Sequence, residues 1–325
     1  MKRRTIIAVL GTVVALRPLR ALAQSRVPLI VVLVNGSEAA TRSRLDALRE
    51  GLRELGYREG QNYRIEIRWS ETRIERLPEL ARELVRLRPD VAVALQVVAA
   101  QALHRESNSI PIVMAGGAGA LRAGLIESLA RPGGNVTGLT NQSDELAAKL
   151  FEFLRAVAPR AKRVVALSSG LGAAELDVRA ESRAAARTYG MTLIEAFAES
   201  PSQLPSLVEH CARERCQALV SLPDPNLTSF PGGVTALAAK LRIPAVYSFT
   251  AFAEEGGLIS YSADLVQLSR QSAVYVDKIL KGAKPGNLAI QQPTRFELVV
   301  NMKTANALGI KIPQLILVRA DRVIE

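Results

Sequence analysis

Short apolar runs of strand length alternate with amphipathic helical stretches along almost the whole chain. Residues 27–34 are nearly all apolar, as expected for a strand that is buried on both faces of a sheet. Residues 41–55 then place four leucines on one helical face, which completes a βα unit. Further strands are predicted at 63–69, 91–95 and 110–114, with helical stretches between them. Four βα repeats predict an α/β fold with a doubly wound parallel sheet.

Residues 131–142, RPGGNVTGLTNQ, fit neither a helical nor a strand period and interrupt this alternation. The strand and helix patterns resume afterwards and include a long helix at 265–280 and a late strand at 296–301. We therefore predict a hinge between two lobes of similar architecture. The predicted division is lobe 1 at 24–139, lobe 2 at 140–261, and a C-terminal part at 262–325 that crosses back over the hinge and returns in part to lobe 1.

The first 23 residues have the order of a secretory signal peptide: basic residues, an apolar run at 5–16, and the small-residue site Ala21-Leu22-Ala23. The apolar run is about twelve residues long, shorter than the roughly 20 residues of a membrane span. We therefore expect a mature chain that starts near Gln24 and has no membrane span. The prediction is a periplasmic monomer, exported by the Sec route or, because of the pair Arg3-Arg4, by the twin-arginine route.

The formal net charge is +11, but five of the basic residues lie in the leader, which has no acidic residue. The remaining excess is scattered, which favours a solvated basic surface over a nucleic-acid partner. No metal is predicted, because His104 and His210 lack ligand spacing. No cofactor is predicted either. Cys211 and Cys216 fall in one helical pattern, where side chains five residues apart point in different directions, so free thiols are expected.

Polar and small residues follow the predicted strands, and ligands of open α/β sheets bind at these carboxyl ends. Asn35 and Ser37 open a helix whose free N–H groups could hold a carboxylate, although a plain N-cap explains them equally well. Asp224 stands between two prolines and could face a ligand ammonium or hydroxyl, or form an Asx turn. The remaining candidates are Gly116 and Gly117 as backbone donors, together with Ser169 and Ser248.

Five strings of the sequence resemble the ABC-transporter substrate-binding protein family, whose better-known members bind tryptophan and other aromatic amino acids. They are 51–62 (GLRELGYREGQN), 131–138 (RPGGNVTG), 279–285 (ILKGAKP), 292–305 (QPTRFELVVNMKTA) and 319–325 (RADRVIE). The resemblance implies a type I periplasmic-binding-protein fold, with two Rossmann-like doubly wound lobes and a hinge of about three crossings. It also implies capture of a small organic solute by lobe closure and delivery to an ABC permease with its ATPase.

The chain departs from the family after the third strand. Relatives carry a Thr/Gly-rich turn there, whereas residues 95–101 read LQVVAAQ. The Thr hydroxyl that the resemblance would place on the ligand carboxylate is missing, and Gln96 is the candidate substitute.

The sequence contains neither a G-x-S-x-G elbow, a P-loop, nor an H-E-x-x-H motif, which favours binding over catalysis. An amino acid or an aromatic or organic acid is the expected solute. The alternative is a Rossmann-type envelope enzyme that would use Asp224 or His104 as its titratable group. A third hypothesis, the ligand-sensing core of a transcription regulator, predicts an N-terminal DNA-binding helix pair where this chain has an export signal.

Overall fold

The computed structural model describes residues 26–71, 73–141, 146–170 and 175–325; the predicted leader and Gln24 lie outside these ranges. The first of two sheets has five strands in the order β2-β1-β3-β4-β5, and all its pairings are parallel. Its strands are β1 Leu29–Val34, β2 Arg64–Trp69, β3 Val91–Ala94, β4 Ile112–Ala115 and β5 Val136–Leu139. All residues of β1, β3 and β4 are buried, which accounts for their continuous apolar runs.

Helices cover both faces of this first sheet, as a doubly wound fold requires. One face packs on α2 (Leu77–Arg86) and α3 (Val97–Glu106), and the other packs on α1 (Glu38–Glu54) and α9 (Leu265–Leu280). The close contact between α1 and α9 depends on Gly51, because a Cβ there would overlap the backbone of Arg270. The segment at 265–280 therefore belongs to the first lobe, although it follows most of the second lobe in sequence.

The second sheet has seven strands in the order β12-β11-β10-β9-β8-β6-β7. Its pairings are parallel except for β10 with β11, which is antiparallel. The strands are β6 Arg163–Ser168, β7 Thr192–Phe197, β8 Ala218–Ser221, β9 Ala245–Tyr247, β10 Ile259–Ala263, β11 Phe296–Asn301 and β12 Arg322–Ile324. The prediction of an α/β chain with two parallel-sheet lobes is confirmed.

Two separate cores also flank the second sheet. One contains α4 (Leu146–Val157), α5 (Glu175–Thr188), α10 (Met302–Leu308) and α11 (Gln314–Arg319). The other contains α6 (Leu204–Arg213), α7 (Pro231–Leu241) and α8 (Thr250–Glu254).

The described chain changes sheets at three places. It leaves the first sheet after β5, returns to it between β10 and α9, and leaves again between Gln291, which bridges to Leu139, and β11. The first crossing contains residues 142–145, which lie outside the described ranges. These crossings set two lobes side by side with a cleft between them.

The expectation that residues 131–142 lack regular structure is wrong for Val136–Leu139, which form β5. The strand is short, and Gly138 adopts φ +122° against the backbone of Met114, where a Cβ would overlap the Met114 carbonyl. A strand residue that must be glycine breaks the apolar alternation, so the period is lost in the sequence.

The two cysteines also differ from expectation, because α6 ends at Arg213 and Cys216 lies beyond it. Arg215 adopts φ +51°, its N–H bonds to Ala212 O at 3.1 Å, and Cys216 N–H bonds to Cys211 O at 2.9 Å. This is a Schellman ending, which folds the residue after the turn back onto the last helical turn. Burial, followed by the neighbouring Cys216 thiol, raises the pKa of the Cys211 thiol to about 12.

Within the described ranges, no helix combines the length and the apolar character that crossing a membrane requires.

Candidate functional site

A cavity of 470 Å³ opens between the two lobes. It lies where ligands of open α/β sheets bind, and its volume is within the range of about 300–1,000 Å³ of small-molecule sites. Lobe 1 contributes the loops after β1 and β3 and the first turns of α1, with Asn35, Ser37, Ala40, Arg44 and Gln96. Lobe 2 contributes α8 and its surroundings, with Phe249, Thr250, Glu254, Glu297 and Arg322.

A second cavity, of only 10 Å³, shares the wall residues Phe249, Ala263 and Leu265 with the large one. It reaches Ser248 in lobe 2 and Asn141 in the first crossing. Asn141 is buried, and its Oδ1 has no hydrogen-bond partner within the described residues. An unpaired buried acceptor at the base of the cleft is available to a donor from a ligand or water.

Three polar residues form a closed hydrogen-bonded group on the lobe 1 side. Gln96 Oε1 accepts from Asn35 N at 3.0 Å, and Gln96 Nε2 donates to Asn35 O at 3.0 Å. Ser70 Oγ donates to Asn35 Oδ1 at 2.8 Å. Gln96 thus clamps the loop that opens α1, rather than presenting a free amide to the cavity.

Ser37 caps α1 as the sequence predicts. Its Oγ accepts from Ala40 N at 3.3 Å, and Thr41 Oγ1 donates to its carbonyl at 2.7 Å. Because Ser37, Ala40 and Thr41 all line the large cavity, the positive end of this 17-residue helix faces the cleft.

Gly116 and Gly117, predicted as backbone donors, line neither cavity. Both N–H groups donate to Leu139 O, at 3.1 and 3.3 Å, and so join the end of β4 to the end of β5. Gly116 adopts φ +99° beneath Leu265, Leu268 and Arg44. The positive φ is what favours glycine at 116, whereas a Cβ on Gly117 would come within 3.0 Å of Val97 N.

Ser169 and Asp224, two of the predicted lobe 2 residues, form a second hydrogen-bonded group with Asn226, and none of the three lines either cavity. The Asp224 carboxylate, 6% exposed, accepts from Ser169 N at 2.5 Å and from Asn226 N at 2.9 Å. Asn226 Nδ2 donates to Ser169 Oγ at 3.2 Å. Asp224 therefore fastens the loop after β6 to the loop after β8, in the manner of the Asx turn considered from the sequence.

Ser248 lines the small cavity, but its Oγ donates to Leu222 O at 2.7 Å. Four of the eight predicted contacts, Asn35, Ser37, Gln96 and Ser248, thus border the cleft cavities. Their role as ligand contacts stays a prediction.

Sequence reasoning missed the charged residues of the cavity. Arg322 pairs with Glu254 at 2.7 Å and with Glu297 at 3.9 Å, and Thr250 Oγ1 donates to Glu297 at 3.2 Å. Asp264 caps α9 by accepting from Gln267 N at 2.8 Å. Because β11 and β12 reach the cleft only through the third crossing, nothing local in the sequence marks Glu297 or Arg322.

Arg44 was missed as well, although its position carries a signal. It lies four residues before Leu48 on the apolar side of α1, where a charged residue is unexpected. Burial lowers the pKa of its guanidinium to about 10, which leaves it protonated at neutral pH.

His104, the second titratable candidate of the enzyme alternative, lies outside both cavities and contacts Asn135 through Nδ1 at 2.7 Å. Within the described residues, no group of three or more His, Cys, Asp or Glu side chains is arranged to hold a metal ion. The geometry instead suits a neutral or charged organic molecule held between two polar walls.

Comparison with known proteins gives consistent results. The family model described as ABC transporter substrate binding protein matches residues 29–324. A tyrosine-binding protein of Clostridioides difficile strain R20291 is 23% identical over 283 residues, which cover 85% of this chain and 80% of that protein.

Two solved structures are similar over both lobes. A conserved domain protein from Vibrio cholerae O1 biovar El Tor has a TM-score of 0.86 at 28% identity and covers 92% of this chain and 100% of its own. The ABC domain from Streptococcus pneumoniae in complex with L-Trp has a TM-score of 0.85 at 28% identity, with 91% of this chain and 99% of that chain covered.

Proposed function

Because the chain belongs to the ABC transporter substrate binding protein family, we propose that it captures an amino acid or a related organic acid in the interlobe cleft. It then delivers this solute to a membrane permease that a separate ATPase drives. The observation that carries the proposal is the 470 Å³ cavity, which both lobes line with charged and hydroxyl side chains. The similar proteins named for tyrosine and crystallised with L-Trp favour an aromatic amino acid within this class.

Capture works by closure of the lobes. The moving bodies are residues 24–139 with α9 on one side, and 140–261 with β11 and β12 on the other. A solute that touches both walls binds the closed form better than the open one, and this difference in affinity shifts the population towards closure.

The eight predicted site residues divide into two roles. Asn35, Ser37, Gln96 and Ser248 contact the solute or hold the groups that do. Gly116, Gly117, Ser169 and Asp224 keep the loops at the strand ends in place, since their hydrogen bonds join neighbouring loops.

The protein acts in the periplasm as a monomer, after export by the Sec or the twin-arginine route. The enzyme alternative receives no support from its two candidates, since Asp224 is held by backbone N–H groups and His104 lines neither cavity.

The proposal is tested by a thermal-shift screen of the mature chain from Gln24, with L-tyrosine, L-tryptophan, other amino acids, organic acids, sugars and amides. A solute at 100 times its dissociation constant stabilises the folded state by about 2.7 kcal/mol, which raises Tm by about 4 °C for an unfolding entropy of about 2.1 cal/mol/K per residue over roughly 300 residues. Small-angle X-ray scattering should show a smaller radius of gyration when that solute is bound.

A matched pair of variants ties binding to the cavity. Ala40 and Ala39 are both exposed on the first turn of α1, but only Ala40 of the two lines the cavity. Ala40→Trp should fill the cavity and abolish the shift, whereas Ala39→Trp should bind like the wild type. Equal binding by both variants would place the solute elsewhere, and no shift with any solute would contradict capture.

A further inference from the structure

Arg44 is a buried cation at the lobe 1 wall of the cleft, and no carboxylate of the described residues pairs with it. Its side chain is 8% exposed, and none of the ion pairs between described residues includes it. Buried charges are normally paired, because removing a charge from water is costly. An unneutralised arginine beside a cavity is therefore a feature that needs a partner from outside the chain.

The hydrogen bonds of Arg44 account for only part of its guanidinium. Nη2 donates to Leu95 O at 2.9 Å and to Ala115 O at 2.7 Å, and Nε donates to Ser269 Oγ at 3.3 Å. Both N–H bonds of Nη1 lack a partner in the described chain, although Nη1 is not sealed from solvent. Since Arg44 lines the 470 Å³ cavity, Nη1 is the group that can reach a bound molecule.

The opposite wall has the complementary character. Glu254 and Glu297 share the single cation Arg322, and Asp264 lies at the boundary between the lobes. The lobe 2 wall thus offers acceptors for an ammonium or hydroxyl, whereas the lobe 1 wall offers an unused guanidinium edge.

We propose that Arg44 is the carboxylate anchor of the cleft: Nη1 binds a carboxylate of the solute, and neutral analogues are rejected. The inference rests on the proposed function and names the residue that recognises the carboxylate of the solute. The three existing bonds hold the guanidinium in place, so little side-chain entropy is lost when the solute binds. The preference follows because a neutral amide would leave the buried charge unneutralised.

The competing explanation is a purely structural role, in which Arg44 ties the ends of β3 and β4 to α9. The affinity ratio for an acid and its amide distinguishes the two roles, because a purely structural Arg44 would not affect this ratio. Isothermal titration calorimetry on the full mature chain should use acid–amide pairs: L-tryptophan, L-tyrosine, benzoate and succinate, each with its amide. The variants are Arg44→Gln, Arg44→Lys and the control Arg42→Gln, which changes an exposed arginine of the same helix.

The wild type and Arg42→Gln should bind the acid of the recognised pair about 10- to 100-fold more tightly than its amide. Arg44→Gln should reduce this ratio to near one. Arg44→Lys, which keeps a positive charge but lacks the paired N–H groups of a guanidinium, should give an intermediate ratio. If Arg44→Gln does not fold, the acid–amide affinity ratios of the wild type and of Arg44→Lys test the inference instead.

Equal affinity for acid and amide in the wild type, or a preference retained by folded Arg44→Gln, would overturn the inference. Capture of a sugar, amine or amide with no acid bound would overturn it while solute capture stands. Absence of binding by every class of solute would overturn the proposed function and the inference together.

Discussion

The two lobes place polar groups at the ends of their strands in the same topological positions. The two sets differ in whether hydrogen-bonding groups beside them remain without a partner in the described chain. In lobe 2, Asp224, Ser169 and Asn226 hydrogen-bond to one another and line neither cavity. In lobe 1, the Gln96–Asn35 pair borders the large cavity, and Arg44 beside it keeps one nitrogen unpaired. Position at a strand end therefore does not by itself identify a ligand contact, and the unused N–H groups of Arg44 are what distinguish the lobe 1 side of the cleft.

The largest expected effect is the loss of stability in Asp224→Ala. Two buried backbone N–H groups lose a charged acceptor, so the free energy of unfolding should fall by about 3 kcal/mol. Urea unfolding measures this change. Asp224→Asn, which keeps one acceptor oxygen, should lose less. If Asp224→Ala unfolds like the wild type but its folded form has lost solute binding, the contrast between the lobes is wrong.

Gln96→Ala should cost less stability than Asp224→Ala but should weaken solute binding. The cost in stability is about 1–2 kcal/mol, because the Asn35 backbone groups it leaves can be reached by water from the cavity. Solute affinity should fall by about 3- to 10-fold, since the loop that opens α1 loses its clamp. Titration calorimetry with the recognised solute measures this fall. Gln101→Ala, on the same helix and away from the cavity, serves as the control and should retain wild-type affinity.

The two serines give a smaller difference between the lobes. Ser248→Ala removes a buried hydrogen bond to Leu222 O, which keeps its bond from Asp224 N at 2.7 Å, and should cost about 1–1.5 kcal/mol. Ser37→Ala removes a helix cap that water can partly replace and should cost about 0.5–1 kcal/mol. Paired urea titrations of both variants test the order, and a larger loss from Ser37→Ala would contradict it.

Much of the fold was predictable because the periodic signals are strong. The helix at Leu265–Leu280 and the strand at Phe296–Asn301 occupy the predicted residues, and the predicted family resemblance is confirmed by the match over 29–324. β5 was missed because Gly138 is needed for backbone contact, and this need has no periodic signature.

The site was less predictable, because its partners are distant in sequence. Ser169 and Asp224 are 55 residues apart, and nothing local shows that one satisfies the other. Arg44 meets the carbonyls of Leu95 and Ala115 only after three strands have paired. The charge of Arg44 on the apolar face of α1 was the available sequence signal. This signal indicates a buried partner for Arg44 but does not identify that partner.

The smallest expected effect on stability concerns the contacts that attach α9 to lobe 1 and α11 to lobe 2. In lobe 1, α9 packs closely on α1 at Gly51, whereas in lobe 2 the exposed Arg319 of α11 donates to Glu152 of α4 at 3.3 Å. Lys149 donates to the same carboxylate at 2.7 Å, and this bond, followed by that from Arg319, holds the pKa of Glu152 below its ordinary value.

A lowered folded-state pKa stabilises the fold at pH values above the unfolded pKa, and this contribution is lost as the pH falls through the folded value. Glu152→Gln should therefore lower the free energy of unfolding at neutral pH by a few tenths of a kcal/mol at most, because Glu152 and Arg319 are more than one-third exposed and Lys149 is 31% exposed. The difference from the wild type should begin to shrink as the pH falls below the ordinary Glu pKa of about 4.3 and should disappear once the pH is below the lowered folded-state pKa, in urea titrations across that range. A difference that persists in acid would mean that Glu152 acts through packing, and α11 would then be held as α9 is.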